Sequence, residues 1–187
     1  MIALIQSNAT PIISFLTLIS NIIFVVVLVV IVLHAGSRKK LYNFVHKYIL
    51  ELLFVLILAA VLGSLTYTDI VGFSACDLCW YQRIFMYSQL VIVAMALYRK
   101  DKTVIDYLVP LSVMGAVIAL FQSLIQWGVS FGATGGCAAL GGECAKVYFT
   151  EYSYITIPFM SFTVFVYIIV LKSIYYRKAW KIKNGRE

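Results

Sequence analysis

The sequence predicts an all-α integral membrane protein with five transmembrane helices. Hydrophobic residues make up 63% of its 187 residues and charged residues only 12%, whereas a soluble domain carries about a quarter charged residues. Five apolar stretches each approach the roughly 20 residues that cross the hydrocarbon core of a bilayer as a helix. The basic residues are concentrated in the segments that connect or follow these stretches.

The five predicted helices follow one another along the chain. They cover about residues 12–33, 48–67, 80–98, 108–129 and 155–175. The first stretch has no basic region before it and no clear cleavage site after it, so we interpret it as a retained helix rather than a signal peptide. We expect Pro110 to start the fourth helix. We expect Pro158, inside the fifth stretch, to kink that helix.

The basic residues predict the orientation of the chain in the membrane. Lysine and arginine cluster in segment 34–47, in segment 99–102 and after residue 171, whereas only Arg83 and Lys146 fall on the opposite side. The positive-inside rule then places the N-terminus outside and the C-terminus in the cytoplasm. Despite the net charge of +7, these clusters indicate topology and contact with anionic lipid headgroups rather than nucleic-acid binding.

All four cysteines fall on the predicted outer side of the membrane. Cys76 and Cys79 lie at the outer end of the third stretch, and Cys137 and Cys144 lie between the fourth and fifth. Disulfides persist on that oxidising side. Two structural disulfides, a four-cysteine zinc site and a dithiol relay between the pairs are all compatible with this pattern. The relay is favoured because Cys-x-x-Cys bonds tend to be labile and the second pair is too widely spaced for a usual zinc pair.

The residues beside the first pair also favour redox chemistry. If the third helix starts near Leu78, Cys79 lies in its first turn, where the helix dipole stabilises a thiolate. Arg83 follows one turn later on the same face, and an arginine at that depth is costly without a partner or a function. We expect it to favour the thiolate and to face an electron-poor ligand with a polar carbonyl, with Gln82 supplying a neutral amide nearby. The alternative is that Arg83 only snorkels to the interface.

These residues carry a resemblance to a known family. The string Cys76-Asp-Leu-Cys79-Trp-Tyr-Gln82-Arg83 resembles the Cys-x-Leu-Cys-x-x-Gln-Arg signature of the DsbB family of bacterial disulfide bond formation proteins, including its BdbC-like members. The similarity extends over the last four predicted helices and both outer loops. It implies a four-transmembrane-helix bundle, to which this chain adds one extra N-terminal transmembrane helix. The expected division is an N-terminal helix and basic linker (1–47), the DsbB-like bundle (48–176) and a basic cytoplasmic tail (177–187).

The resemblance implies an activity for the first cysteine pair. The protein is expected to be a disulfide-generating protein-dithiol:quinone oxidoreductase in the bacterial inner or plasma membrane. Cys76 and Cys79 would form the redox-active disulfide that passes electrons to the quinone pool, with Cys79 next to the quinone. The quinone would be ubiquinone or menaquinone, and Arg83 with Gln82 would line its site. No metal site is expected.

The resemblance also implies a partner for the second pair. Cys137 and Cys144 would form the second redox-active disulfide, and Cys137 would make the mixed disulfide with an extracytoplasmic thioredoxin-like protein of the DsbA or BdbD type. The extra helix and the short loop between the two cysteines depart from the family pattern. A vitamin-K-epoxide-reductase-like enzyme is disfavoured, because that family places its loop pair before the Cys-x-x-Cys pair. The remaining alternative is a non-enzymatic membrane protein with structural disulfides or a four-cysteine zinc site.

Overall fold

Five helices form the described part of the chain, and four of them close a bundle. The computed structural model describes residues 2–33, 35–129, 147–152 and 154–183. The helices are α1 (Ile2–Leu33), α2 (Ala35–Leu65), α3 (Asp77–Arg99), α4 (Ile105–Gln126) and α5 (Ile157–Lys183). Helix α2 packs against α3 and α5, α4 packs against the same two helices, and α1 lies outside this ring against α2. The predicted fold class, a four-helix bundle with an extra N-terminal helix, is confirmed.

The helices differ in how well they suit a bilayer. Within the described residues, four helical segments are long and apolar enough to cross a membrane; they belong to α1, α2, α4 and α5. Helix α3 has 23 residues, or roughly 35 Å, but it carries charges at Asp77, Arg83 and Arg99. It also buries Gln82 and Gln89 inside the bundle. Its polar residues therefore explain why composition alone does not mark α3 as a span.

The two ends of the bundle differ in chemistry. At one end of the bundle, Cys76 lies at the N-terminus of α3. At the opposite end, Lys172 lies 3.2 Å from Asp106 and Lys102 donates a hydrogen bond to the carbonyl oxygen of His46. The first cysteine pair and the basic connections are thus separated by the length of the bundle. The orientation of these ends relative to the cell stays a prediction.

The basic segment that the sequence predicts as a linker is helical from Ala35 onward. Helix α2 begins at Ala35, and its helical geometry is interrupted only at Tyr48, with φ −109° and ψ 24°. Tyr42 and Val45 are buried in the core of the bundle. Their burial stabilises helical structure in a segment whose charges had suggested a solvent-exposed connection, because tertiary packing supplies most helical stability.

The two prolines occupy other positions than expected. Helix α4 begins at Ile105, so Pro110 lies inside the helix rather than at its start. Ile105 and Leu108 are buried, and their packing stabilises the first turn of α4, which precedes Pro110. Pro158 is the second residue of α5, where a missing N–H group has no helical partner to lose. The expected kink inside the fifth helix is therefore wrong.

Helices α4 and α5 approach each other closely at a glycine. A Cβ atom on Gly115 would lie 2.4–2.7 Å from three ring carbons of Phe165, whose side chain is fully buried. Small residues allow such close contacts between membrane helices, where packing rather than water drives association.

We expect Gly115→Ala to lower the free energy of unfolding by about 1–3 kcal/mol, because the Phe165 ring has no room to move away. The measurement is the unfolding midpoint in detergent. Gly63→Ala is the matched control, since a Cβ there meets no atom within 4 Å. Equal midpoints for the two variants would contradict the close packing described here.

Candidate functional site

The N-terminus of α3 places two thiols next to each other. Cys76 is the N-cap residue, in extended conformation, and Cys79 is the third residue of the helix. The two sulfur atoms lie 3.2 Å apart. Cys76 is buried, and Cys79 is half-buried. The prediction that Cys79 lies in the first helical turn is confirmed, so its sulfur is close to the positive end of the helix dipole.

A buried glutamine of α4 contacts both sulfurs. Gln122 donates from Nε2 to Cys76 Sγ at 3.2 Å and to Cys79 Sγ at 3.3 Å. Its Oε1 accepts a 2.7 Å hydrogen bond from Gln82 Nε2, and both glutamines are almost fully buried. The bond to Gln82 fixes the orientation of the Gln122 amide, with its NH₂ group towards sulfur. One amide group therefore contacts both sulfurs at once.

Arg83 points from α3 to the end of α2. Its Nε donates to Ser64 Oγ at 3.0 Å, and its Nη2 donates to the Ser64 carbonyl oxygen and to Thr68 Oγ1. Thr68 belongs to the π-helical turn Thr66–Ile70 that extends α2, and such turns often occur at functional sites. The guanidinium also lies 5.2 Å from the ring of Trp80. Arg83 is thus held by α2 and not simply extended to the interface.

A cavity of about 480 Å³ borders these side chains. Cys76, Cys79, Gln82, Arg83 and Gln122 all line it, and most of its remaining wall is apolar. Its volume falls in the range of about 300–1,000 Å³ that is typical of small-molecule sites. A mainly apolar cavity with one cationic group and two thiols suits a flat, apolar ligand that carries a polar acceptor and can react with sulfur.

An aromatic cluster joins the segments that flank the two cysteine pairs. The Phe73 ring stacks on Tyr148 with centroids 4.5 Å apart, and Tyr67 stacks on Phe149 at 5.6 Å. The Tyr148 hydroxyl donates to the carbonyl oxygen of Ser74 at 2.9 Å. The chain segment that follows the second cysteine pair is therefore attached to the segment that precedes the first.

The structure brings four of the six predicted site residues to one cavity: Cys76, Cys79, Gln82 and Arg83. The other two, Cys137 and Cys144, lie outside the described residues, so their pairing and the zinc alternative stay predictions. Arg83 donates hydrogen bonds to Ser64 and Thr68 at the end of α2, and its expected effect on the Cys79 thiolate stays a prediction.

Sequence reasoning missed Gln122, Ser64 and Thr68. One signal could have found Gln122: a polar residue inside an otherwise apolar membrane stretch indicates a functional site by default. Ser64 and Thr68 gave no such signal, because small hydroxyl residues are common in membrane helices and can bond to their own backbone. Thr68 also donates such a bond, to the Ser64 carbonyl oxygen.

Comparisons with known proteins identify relatives named for disulfide bond formation. The family model for the disulfide bond formation protein DsbB matches residues 46–174, which contain all four cysteines and exclude α1. Disulfide bond formation protein C of Bacillus subtilis (strain 168) is 37% identical over 116 residues, which are 62% of this chain and 83% of that protein. Probable disulfide formation protein C 2 of Bacillus anthracis is 33% identical over 128 residues, 68% of this chain and 89% of that protein.

A relative from outside Bacillus gives a similar match. The probable disulfide formation protein of Coxiella burnetii (strain CbuK_Q154) is 34% identical over 103 residues, 55% of this chain and 70% of that protein. No solved structure matches the chain. The family model matches residues 46–174, which hold most of the four-helix bundle and none of α1.

Proposed function

Because the chain belongs to the DsbB family of disulfide bond formation proteins, we propose that it oxidises an extracytoplasmic thioredoxin-like dithiol protein and delivers the electrons to a membrane quinone. The family makes it a membrane oxidoreductase of disulfide formation. The single observation that carries the proposal is the dithiol with sulfurs 3.2 Å apart on the wall of a cavity that also contains Arg83.

The cavity fits a quinone in size and chemistry. A quinone head group is flat and largely apolar and needs hydrogen-bond donors at its carbonyl oxygens. Arg83 has five N–H donors, and three of its hydrogen bonds go to Ser64 and Thr68. Among the described residues, this leaves the two N–H groups of Nη1 for a ligand carbonyl. Positive charge placed where negative charge develops is the usual source of transition-state stabilisation.

The quinone would supply the electron acceptor, taking up two electrons and two protons and leaving as quinol. In the same reaction the Cys76 and Cys79 thiols lose two electrons and two protons and become a disulfide. Their sulfurs must move from 3.2 Å to about 2.05 Å. Gln122 prepares this step by holding both sulfurs with one amide group. Arg83 would orient the ligand carbonyl.

The second pair would connect the outer partner to the first pair. We propose that the partner's thiolate attacks the Cys137–Cys144 disulfide at Cys137, and that the resulting dithiol reduces the Cys76–Cys79 disulfide by exchange. In this arrangement the cysteine loops and the N-terminus face the outside of the cell and the C-terminus the cytoplasm.

The attachment of Tyr148 supports this exchange. Cys144 precedes Tyr148 by four residues, a segment that spans at most about 14 Å. Tyr148 in turn bonds to Ser74, two residues before Cys76. The connection keeps the second pair within a short tether of the first, which raises the frequency of productive encounters.

We expect Tyr148→Ala to slow electron transfer from the protein partner to quinone by about tenfold, because the tether between the two segments is lost. Tyr148 also lines the cavity, so the reference reaction is quinone reduction by a small dithiol that reaches Cys76 and Cys79 directly, and the partner-driven reaction should be slowed about tenfold more than this reference. Tyr152→Ala is the matched control, because Tyr152 is an exposed tyrosine of the same segment. Equal slowing of both reactions by Tyr148→Ala would contradict the tether.

The proposed function is tested by the ratio of quinone reduced to partner disulfide formed. The purified protein is mixed without oxygen with a reduced thioredoxin-like partner and a soluble quinone, and quinone absorbance is followed while partner thiols are counted. One quinone should disappear for each partner disulfide formed. Partner oxidation without quinone loss, or no reaction with several partners and quinones, would overturn the proposal.

A further inference from the structure

We propose that α1 is a wall of the quinone site and retains the quinone in it. The inference rests on the proposed function and assigns a role to the helix that the family model leaves out. The ligand would be a membrane quinone with an apolar side chain, because the cavity beside the thiols is mainly apolar and continues to α1.

The cavity is built from α1 as well as from the bundle. Ile13, Leu16, Thr17 and Ser20 line it together with Cys79 and Arg83. These α1 positions recur every three or four residues, so they form one face of the helix. The volume that borders the dithiol is therefore completed by a helix outside the four-helix bundle.

This face of α1 is attached to the bundle. Ser20 Oγ and Tyr167 Oη are within hydrogen-bond distance at 3.3 Å, and the Tyr167 hydroxyl donates to Asn21 Oδ1. The ring of Phe24 lies 4.4 Å from the Tyr167 ring. Tyr167 itself lines the cavity. The contacts that hold α1 in place are thus at the cavity and not remote from it.

The two faces of α1 also differ in how far their side chains are buried. Ser14 is completely buried, although Ile12 and Phe15 beside it are more than half exposed. The exposed apolar residues of α1 suit the lipid, whereas Ser14 is buried and Thr17 and Ser20 line the cavity. Inward hydroxyls favour close packing of membrane helices, and α1 is positioned to restrict exchange of a ligand between the cavity and the bilayer.

The first test fills the cavity from the α1 side. The probe is a benzoquinone with a ten-carbon chain, and its Kd is measured from quenching of tryptophan fluorescence, since Trp80 lies beside Arg83. Thr17→Phe should raise the Kd by about tenfold or more, because an added ring competes for the ligand's volume. Val25→Phe is the control: valine has the shape of threonine, and Val25 is exposed and outside the cavity wall. Its Kd should stay within about twofold of wild type.

The second test loosens α1 without filling the cavity. Tyr167→Phe removes the hydroxyl that bonds to α1 and should speed dissociation of the same probe several-fold, whereas Tyr176→Phe, on the exposed face of α5, should not. If the wild type binds the probe and each variant behaves like its control, α1 is not part of the site and the proposed function stands. If the wild type binds no quinone, the proposed function and this inference fall together.

Discussion

Cys79→Ser should reduce thiol-dependent quinone reduction to background, a loss of at least about a thousandfold, as for the removal of other nucleophiles. Cys79 lines the cavity, and its sulfur is 3.2 Å from that of Cys76. Serine has nearly the same shape but can neither form a disulfide nor give up electrons. The variant should therefore lose quinone reduction while the shape of the cavity is retained.

The control for Cys79→Ser is quinone binding by the same variant. Its Kd for a short-chain quinone should stay within about threefold of wild type, because the wall of the cavity is almost unchanged. Loss of turnover with retained binding places the residue in the chemical step. A variant that keeps a tenth or more of the wild-type rate would show that another group reduces the quinone.

Arg83→Gln should lower kcat/KM for quinone by about 10²–10³, the usual effect of removing one electrostatic donor from a reacting oxygen. The Arg83 guanidinium is fixed by Ser64 and Thr68, so it is oriented before the ligand binds. Glutamine keeps a donor but loses the positive charge. Arg83→Lys should recover only part of the activity, because an ammonium group cannot make the same forked contacts.

Arg99→Gln is the matched control for Arg83→Gln. Arg99 lies in the same helix, but it is exposed at the far end of α3. Its replacement should leave kcat/KM within about twofold of wild type. If both variants had wild-type kinetics, Arg83 would be no more than an interfacial arginine, as the snorkelling alternative holds.

The sequence alone predicted most of the fold because long apolar stretches have few alternatives in a bilayer. It placed Cys79 in the first turn of α3 correctly. It did not predict that the basic linker segment is helical from Ala35, with Tyr42 and Val45 packed into the core. It also failed at Pro158, because apolar residues before α5 extended the apparent span beyond the helix that begins at Ile157.

The site was predictable only where a motif marked it. The Cys-x-x-Cys-x-x-Gln-Arg string identified the α3 side of the cavity. The α4 and α1 sides were missed because, in a membrane protein, lipid-facing and interior-facing residues are both apolar, so periodicity does not show which face meets which neighbour. Gln122 could have been singled out as a polar residue inside an apolar stretch, but its contact with the cysteines and the place of Thr17 on the cavity wall are known only from the packing of α4 and α1.

The most direct test of the central claim is the oxidation of the first cysteine pair by quinone alone. The chain with Cys137 and Cys144 both replaced by serine is fully reduced, freed of reductant and mixed with a soluble quinone without oxygen. Quinol is measured by absorbance, and the Cys76–Cys79 bond is measured by mass spectrometry after alkylation. We expect one disulfide for each quinol formed. Quinone that stays oxidised while Cys76 and Cys79 remain alkylatable would contradict electron transfer at this site.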